Sequence, residues 1–329
     1  MEEKIEKELK WAVLGTGVIA NEMAQALEKM GKKLYAVANR THSKAVEFAG
    51  KYGVQKIYNK IEDMFTDEET DIIYITTPHN THIKFMIEAL KNGKHVLCEK
   101  SITLNSEELE EAVKIAKEKN LILGEAMTIF NMPLYTELSE IVNSGKLGNV
   151  RMIQVNFGSY KEYDMNNRFF NRNLAGGALL DIGVYAISIT RLFMTSKPDN
   201  VLSQVKYAPT GVDEQASIIM MNKEQQMSTI ALTLHSKQPK RVVIACEKAY
   251  IEITEYPRAD KAKIVYTETG EVEEITAGMT SNALQYELQN MEESVRTGIN
   301  KMKLEYTIDV MDIMTKLRKE WGMTYPEEE

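Results

Sequence analysis

The chain has 329 residues, of which 43% are hydrophobic and 27% charged, an ordinary globular composition with enough length for two domains. The formal charge of −8, without a concentrated basic patch, argues against a surface for nucleic acid or anionic membranes. No apolar run approaches a membrane span and no secretory signal is recognisable, so we expect a cytoplasmic protein that needs neither nucleic acid nor membrane.

Short apolar runs alternate with amphipathic ones through the first 124 residues, which is the rhythm of βαβ units. The predicted strands are WAVLG, LYAVAN, DIIYITT, KHVLCEK and LILGEA, and the predicted helices are residues 19–30, 43–52, 80–91 and 106–119. Continuous apolar strand cores are typical of buried parallel strands. The pattern predicts an α/β fold with a doubly wound parallel sheet, a Rossmann domain over residues 1–124.

A glycine-rich turn, GTGVIA, follows the first predicted strand and opens the first predicted helix. It matches the dinucleotide fingerprint GxGxxG/A in the context that this fingerprint requires. The first glycine permits the tight turn, the second lets the backbone approach a pyrophosphate, and the helix N-terminus holds the anion. A tight βα turn without a ligand is the alternative. The predicted cofactor-binding residues of this turn are Gly15, Thr16, Gly17, Val18 and Ile19.

The second predicted strand ends in ANR, where an NAD enzyme usually has Asp or Glu to hold the ribose 2′-hydroxyl. Here Asn39 and Arg40 remove that carboxylate and add a guanidinium that can pair with a 2′-phosphate. The pattern favours NADP(H), with NAD(H) still possible, because an exposed arginine can also stack on the adenine of either cofactor.

Two further strand ends carry polar side chains at the edge where doubly wound sheets bind ligands. TTPHNTH follows the third predicted strand, and its two histidines lack the additional ligands of a metal site, so we expect them to shape the loop beside the cofactor and predict no metal. CEKS follows the next strand, where Lys100 is either a rim charge or a functional cation. The predicted cofactor-side residues are Thr76, Thr77, Pro78, His79, Asn80, His82, Glu99 and Lys100.

After residue 124 the pattern changes to successive strands with period-two alternation, which predicts a large, mainly antiparallel open sheet. These strands lie within residues 150–160, 201–208, 215–222, 226–236, 241–247, 249–255 and 261–268, with helices at 133–142, 282–297 and 307–321. Residues 125–329 are therefore predicted to form a C-terminal α+β domain.

The segment GGALLDIGVYAI places Asp181 and Tyr185 four residues apart, so that both would share one face of a helix. On this pattern alone, Tyr185 is either part of an active site or a tyrosine at the edge of the core with a satisfied hydroxyl. Asp181 is equally a charge partner at the start of the helix.

These motifs in their order and spacing, GTGVIA, ANR, TTPHNTH, CEKS and GGALLDIGVY, resemble the glucose-fructose oxidoreductase, inositol dehydrogenase and rhizopine-catabolism family (Gfo/Idh/MocA) over nearly the whole chain. The segment RFFNRNLAGGALLDIGVY is most similar to the branch of dimeric dihydrodiol dehydrogenases and D-xylose dehydrogenases. Many family members have histidine where this sequence has Tyr185. Ser101 stands where the family motif EKP has proline, which predicts a less rigid loop.

The resemblance implies an NAD(P)-dependent dehydrogenase or reductase acting on a CH–OH group of a carbohydrate-like small molecule. It implies Lys100, Tyr185 and Asp181 as catalytic residues, with Tyr185 as acid or base and Lys100 favouring its phenolate. It also implies that residues 125–329 form a substrate-binding and dimerisation domain, whose open sheet covers the active site with one face and forms a homodimer, or a dimer of dimers, with the other. Predicted substrate-binding residues are Asn156, Arg168 and Arg172, for which solvated loop polarity is the alternative.

Two other functions fit the same motifs. One is an NAD-dependent glycosidase of the same superfold, which recycles its cofactor through transient oxidation. The other is a non-catalytic regulator that senses NADP(H), against which the pair of Lys100 and Tyr185 argues, because a sensor needs no proton relay.

Overall fold

The apolar runs at the start of the chain form a six-stranded parallel sheet in the computed structural model, which describes residues 8–329. Its strands are β1 (Trp11–Leu14), β2 (Ala36–Ala38), β3 (Lys56–Ile57), β4 (Ile72–Ile75), β5 (His95–Glu99) and β6 (Leu123–Ala126). They lie in the order β3-β2-β1-β4-β5-β6. The direction of winding reverses between β1 and β4, the position at which doubly wound folds bind ligands. The predicted fold class is confirmed.

Helices cover both faces of this sheet because successive strand residues point to opposite sides. The helices of this region are α1 (Val18–Lys29), α2 (His42–Tyr52), α3 (Ile61–Thr66), α4 (His82–Lys91) and α5 (Ser106–Glu118). On β1, Trp11 and Val13 pack in the cluster that contains α1, while Ala12 and Leu14 join the cluster on the other face. The sequence pattern missed β3 and α3, since elements of two and six residues are too short to show a period.

The second sheet has eight strands. These are β7 (Val150–Gly158), β8 (Asn200–Tyr207), β9 (Asp213–Met221), β10 (Met227–Thr233), β11 (Gln238–Cys246), β12 (Ala249–Thr254), β13 (Lys261–Tyr266) and β14 (Val272–Thr276). Their order is β14-β13-β12-β11-β7-β10-β9-β8, and every pair is antiparallel except β7 with β10. The missed strand, β14, is a mostly exposed edge strand whose sequence VEEIT lacks a buried alternating pattern.

The remaining helices are α6 (Thr128–Asn131), α7 (Pro133–Asn143), α8 (Val184–Phe193), α9 (Ala283–Thr297) and α10 (Leu304–Trp321). Although α9 follows the second sheet in sequence, it packs on the first, where Leu288 and Met291 join the cluster around Trp11. The indole Nε1 of Trp11 also donates a 3.0 Å hydrogen bond to Glu292 of α9. The chain thus returns to the first sheet, where α9 completes the layer of helices that covers β1.

The segment predicted to carry Asp181 and Tyr185 on one face of a helix begins with a glycine turn, and Asp181 itself lies in a π-helical turn, Leu179–Gly183, that leads into α8. Gly177 has a backbone φ of +123°, which residues with a Cβ rarely adopt. A Cβ added at this position would also overlap Asp213 Oδ1. The other oxygen of Asp213 accepts a 2.6 Å hydrogen bond from the backbone N–H of Leu179. Asp213 therefore fixes where the π-helical turn starts.

Among residues 8–329, one helical stretch, Arg172–Phe193, is long and apolar enough to cross a membrane by composition, but 78% of its apolar window is buried inside the protein, as in a core helix. Within residues 8–329, no group of three or more His, Cys, Asp or Glu side chains is arranged to hold a metal ion.

The glycine turn gives a stability prediction. Gly177→Ala should lower the free energy of unfolding by about 3 kcal/mol, because it combines an unfavourable φ with a collision against Asp213. Gly211→Ala is the matched control, since φ is +86° there and an added Cβ would meet nothing within 4 Å, so its cost should be about 1 kcal/mol. Urea unfolding of both variants measures the difference, and equal losses would contradict the role of Asp213.

Candidate active site

A cleft of about 550 Å³ lies between the strand ends of the first sheet and the segment that leads into α8. Its lining comes from four places: the turn after β1, the loops after β4, β5 and β6, the region from Arg168 to α8, and helix α9 with the loop before β13. The residues that line it are Gly17, Val18, Ile19, Thr76, Thr77, Pro78, His79, Glu99, Lys100, Ala126, Thr128, Arg168, Phe169, Leu174, Ala175, Gly176, Asp181, Tyr185, Arg258, Leu284 and Glu287.

The turn after β1 has the shape that a pyrophosphate requires. Gly15 has φ +111°, and a Cβ there would stand 2.5 Å from Thr76 Oγ1, so a side chain is excluded. A Cβ on Gly17 would meet nothing within 4 Å, which leaves open space over the N-terminus of α1. No side chain caps that helix, so the N–H groups of its first turn remain for an anion. The chain's own residues thus fit a dinucleotide.

The end of β2 presents Asn39 and Arg40 beside this turn. Asn39 donates a 2.8 Å hydrogen bond to Thr16 Oγ1 and accepts one of 2.8 Å from the backbone N–H of Thr41. Arg40 is exposed. The side chain of Asn39 therefore connects the end of β2 to the turn after β1, and the guanidinium of Arg40 lies in solvent next to that turn.

The two histidines of TTPHNTH make hydrogen bonds between the loops of the first sheet. His82 is buried, and its ring nitrogens lie 2.8 Å from the carbonyl oxygen of Thr77 and 3.0 Å from that of Ser101. His79 Nε2 lies 3.0 Å from the carbonyl oxygen of Lys100. Burial lowers the pKa of His79 to about 3, so this ring is neutral at physiological pH. Together the two rings fix the loops after β4 and β5 to each other.

Lys100 and Asp181 form an ion pair at the centre of the cleft. Lys100 Nζ donates to the main-chain oxygen of Asp181 at 2.7 Å and lies 3.3 Å from its Oδ1. Burial opposes both charges, but the negative groups around Lys100 raise its pKa above the usual value. Likewise Lys100, with Arg168, holds the pKa of Asp181 below its usual range. Both groups are therefore charged at neutral pH.

Tyr185 lies over this pair on the first turn of α8. Lys100 Nζ is 4.8 Å from the centre of its ring, within the range of a cation–π contact, and Phe157 of β7 packs on the ring at 6.1 Å. Burial raises the pKa of the phenol, while the ammonium of Lys100 acts in the opposite direction. At neutral pH Tyr185 is thus a neutral phenol whose ionised form is favoured by an adjacent cation.

Other predicted residues lie outside the cleft lining. Asn156 alternates with Phe157 on β7, so its side chain lies on the opposite face of the sheet. Arg172 donates to the main-chain oxygen of Thr324 at 2.8 Å and pairs with Glu329. Asn80 donates to the carbonyl oxygen of Asn173 at 3.3 Å. Of the three predicted substrate-binding residues, the structure brings only Arg168 into the cleft.

The sequence patterns missed Arg258, Glu287 and the apolar lining from Phe169 to Ala175. Arg258 Nη1 donates a 2.9 Å hydrogen bond to Glu22 of α1. Glu287 lies within the buried apolar stripe of α9, between Leu284 and Leu288. A carboxyl group in an apolar stripe was the one available signal for this residue.

Comparison with known proteins agrees with this architecture. Residues 9–127 match the family model described as "Oxidoreductase family, NAD-binding Rossmann fold", and residues 135–252 match the GFO/IDH/MocA C-terminal domain. The chain is 30% identical to trans-1,2-dihydrobenzene-1,2-diol dehydrogenase of Xenopus laevis, over 96% of this chain and 99% of that protein. The human enzyme of the same name is 26% identical over 97% and 99%.

Two solved structures share the fold at low sequence identity. The 3-ketoreductase of Actinomadura kijaniata, in complex with NADP and TDP-benzene, superposes with a TM-score of 0.84 at 18% identity, over 95% of this chain and 98% of that one. Levoglucosan dehydrogenase in complex with NADH and levoglucosan gives 0.83 at 16% identity, with the same coverage. The chain belongs to the Gfo/Idh/MocA family, as its motifs predict, and is an NAD(P)-dependent oxidoreductase.

Proposed function

We propose that this protein is an NADP(H)-preferring dehydrogenase or reductase that acts on a vicinal diol, sugar or polyol, with Tyr185 as its acid or base. The observation that carries the proposal is the charged pair of Lys100 and Asp181 beneath Tyr185, at the strand ends where the nicotinamide half of a doubly wound fold lies. The curated relatives named above are diol dehydrogenases, which supports this substrate class.

When bound, the nicotinamide supplies or accepts a hydride, and the chain's own residues manage the proton. In reduction, the Tyr185 hydroxyl donates its proton to the carbonyl oxygen of the substrate; in oxidation, the phenolate removes the proton of the alcohol. A phenol has an ordinary pKa of about 10, and burial raises that of Tyr185 further, so a phenolate needs a compensating cation. Lys100, 4.8 Å from the ring centre, provides it.

Asp181 serves as the positioning residue for that cation. Its carboxylate and main-chain oxygen both accept from the Lys100 ammonium, which keeps the lysine charged in a buried place. Arg168 lines the cleft nearby, and we propose that it contacts a hydroxyl or acidic group of the substrate. The glycosidase and sensor alternatives have no comparable observation in their favour.

We also propose a homodimer through the open face of the second sheet. Leu202 and Ile219 are neighbours across β8 and β9, with 62% and 45% of their surfaces exposed. Tyr250, at 38%, and Met227 lie on the same face, connected through β11 and β7. A row of exposed apolar side chains on a sheet is typical of a surface that a second subunit covers.

Tyr185→Phe removes only the hydroxyl and keeps the ring that packs on Phe157. The dissociation constant for NADPH should change less than about twofold, while kcat falls about 100- to 1,000-fold because the proton has no donor. Stopped-flow turnover and fluorescence titration measure the two quantities. Tyr160→Phe is the matched control, since this tyrosine is 62% exposed and outside the cleft lining. Full activity of Tyr185→Phe would rule out the assignment.

Lys100→Met removes a cation that favours the phenolate, so the pKa of Tyr185 should rise further. The phenolate is the active form in oxidation, and its population grows as pH rises through that pKa. The pH profile of alcohol oxidation should therefore move to higher pH in the variant, with kcat at neutral pH lower by about 100-fold. Lys84→Met, at an exposed position on α4, is the control. An unmoved profile would show that Lys100 does not tune Tyr185.

Arg40→Ala tests the coenzyme preference. Loss of a charge-assisted contact to the 2′-phosphate should weaken NADPH binding about 20-fold and leave NADH binding within about twofold. Calorimetric titration with each coenzyme gives the ratio, and Arg172→Ala, an arginine outside the cleft, should change neither affinity. Equal losses for the two coenzymes would mean that Arg40 stacks on the adenine instead.

A further inference from the structure

Glu287 is a buried carboxyl group in the cleft wall that the proposed mechanism does not use. It lies on α9, lines the cleft and is only 2% exposed. Its Oε1 has no hydrogen-bond partner among residues 8–329. Since a buried polar atom without a partner destabilises a fold, a ligand that supplies the missing hydrogen bond is the simplest reason for its presence.

The surroundings of Glu287 decide its protonation state. Burial raises its pKa well above the usual value, and the nearby acids Glu99, Glu22 and Glu125 act in the same direction, whereas Arg258 opposes them and is itself bonded to Glu22. Glu99 is engaged by the hydroxyl of Tyr74. Burial therefore favours the neutral acid form of Glu287, which has one O–H donor and one carbonyl acceptor.

The position of Glu287 points to the cofactor side of the cleft. Helix α9 packs on α1, whose N-terminus carries the phosphate turn, and its Leu284 shares the lining with Ile19 and Ala126. Ala126 ends β6, in the half of the sheet where a doubly wound fold holds the nicotinamide. A neutral acid there complements a neutral group that has one acceptor and one donor side by side, which is a primary amide.

We propose that Glu287 binds the carboxamide of the nicotinamide ring as a neutral acid, its O–H donating to the amide oxygen and its carbonyl accepting from the amide N–H. This pairing gives both oxygens of Glu287 a partner and fixes the rotation of the ring in the cleft. The inference rests on the cofactor site of the proposed function, but not on the proton-transfer roles of Tyr185 and Lys100.

The test measures binding and needs no turnover. Wild-type protein and the variants E287Q and E287M are titrated calorimetrically with NADP⁺ and with its 3-acetylpyridine analogue, in which an acetyl group keeps the acceptor and lacks the N–H donor. NAD⁺ and its acetylpyridine analogue form a second pair, so that the result does not depend on the role of Arg40. Thermal unfolding confirms that each variant is folded.

Wild type should bind the carboxamide form about tenfold more tightly than the acetyl form, because one buried hydrogen bond is lost. E287Q, which keeps a donor and an acceptor, should retain most of this discrimination. E287M should bind both forms alike, with a higher unfolding temperature since its buried carboxyl group is gone.

Discrimination that persists in E287M, or that is absent from wild type, overturns the proposal while the cofactor site stands. A wild-type protein that binds neither NADP⁺ nor NAD⁺ overturns the cofactor site and this inference together.

Discussion

The ion pair of Lys100 and Asp181 is the interaction on which the arrangement of the site depends. Both side chains are mostly buried, with 15% and 14% of their surfaces exposed, and a buried charge is tolerated only with a well-placed partner. Lys100 is positioned by the end of β5 in the first sheet, and Asp181 by the π-helical turn before α8. The ion pair therefore connects the first sheet to the segment that leads into α8. Tyr185 follows Asp181 by four residues, so the ion pair also fixes the position of the Tyr185 ring relative to Lys100.

The loop after β5 is held by hydrogen bonds where the family motif has proline. Ser101 is fully buried, its hydroxyl donates to the main-chain oxygen of Leu180 at 2.9 Å, and its carbonyl oxygen faces His82. The loss of a rigid ring is thus accompanied by a contact with the residue just before Asp181. The serine attaches the strand end to the π-helical turn next to the ion pair, which the sequence alone did not reveal.

Hydrophobic periodicity and short sequence motifs predict the structural features that depend on residues close together in the sequence. Most strands and helices of the two sheets belong to this class, as does the glycine-rich turn after β1. The side chains that enter the cleft from elements distant in sequence cannot be predicted in this way. Glu287 reaches it because α9 returns to the first sheet, and Arg258 enters it from the loop before β13. Asn156 misses it because alternation does not tell which face of a strand meets the cleft.

The pKa values of Asp181 and Glu287, two carboxyl groups of the cleft wall, shift in opposite directions, and their partners decide the difference. Lys100 and Arg168 hold the pKa of Asp181 below its usual range, whereas burial with few free cations raises that of Glu287. Asp181 therefore keeps its negative charge next to the lysine, whereas burial favours the neutral form of Glu287, which lines the cleft together with Ala126. A carboxylate there would stabilise the positively charged oxidised nicotinamide over the reduced form. A neutral acid leaves that balance unbiased, which suits an enzyme whose fold must bind the coenzyme in both oxidation states.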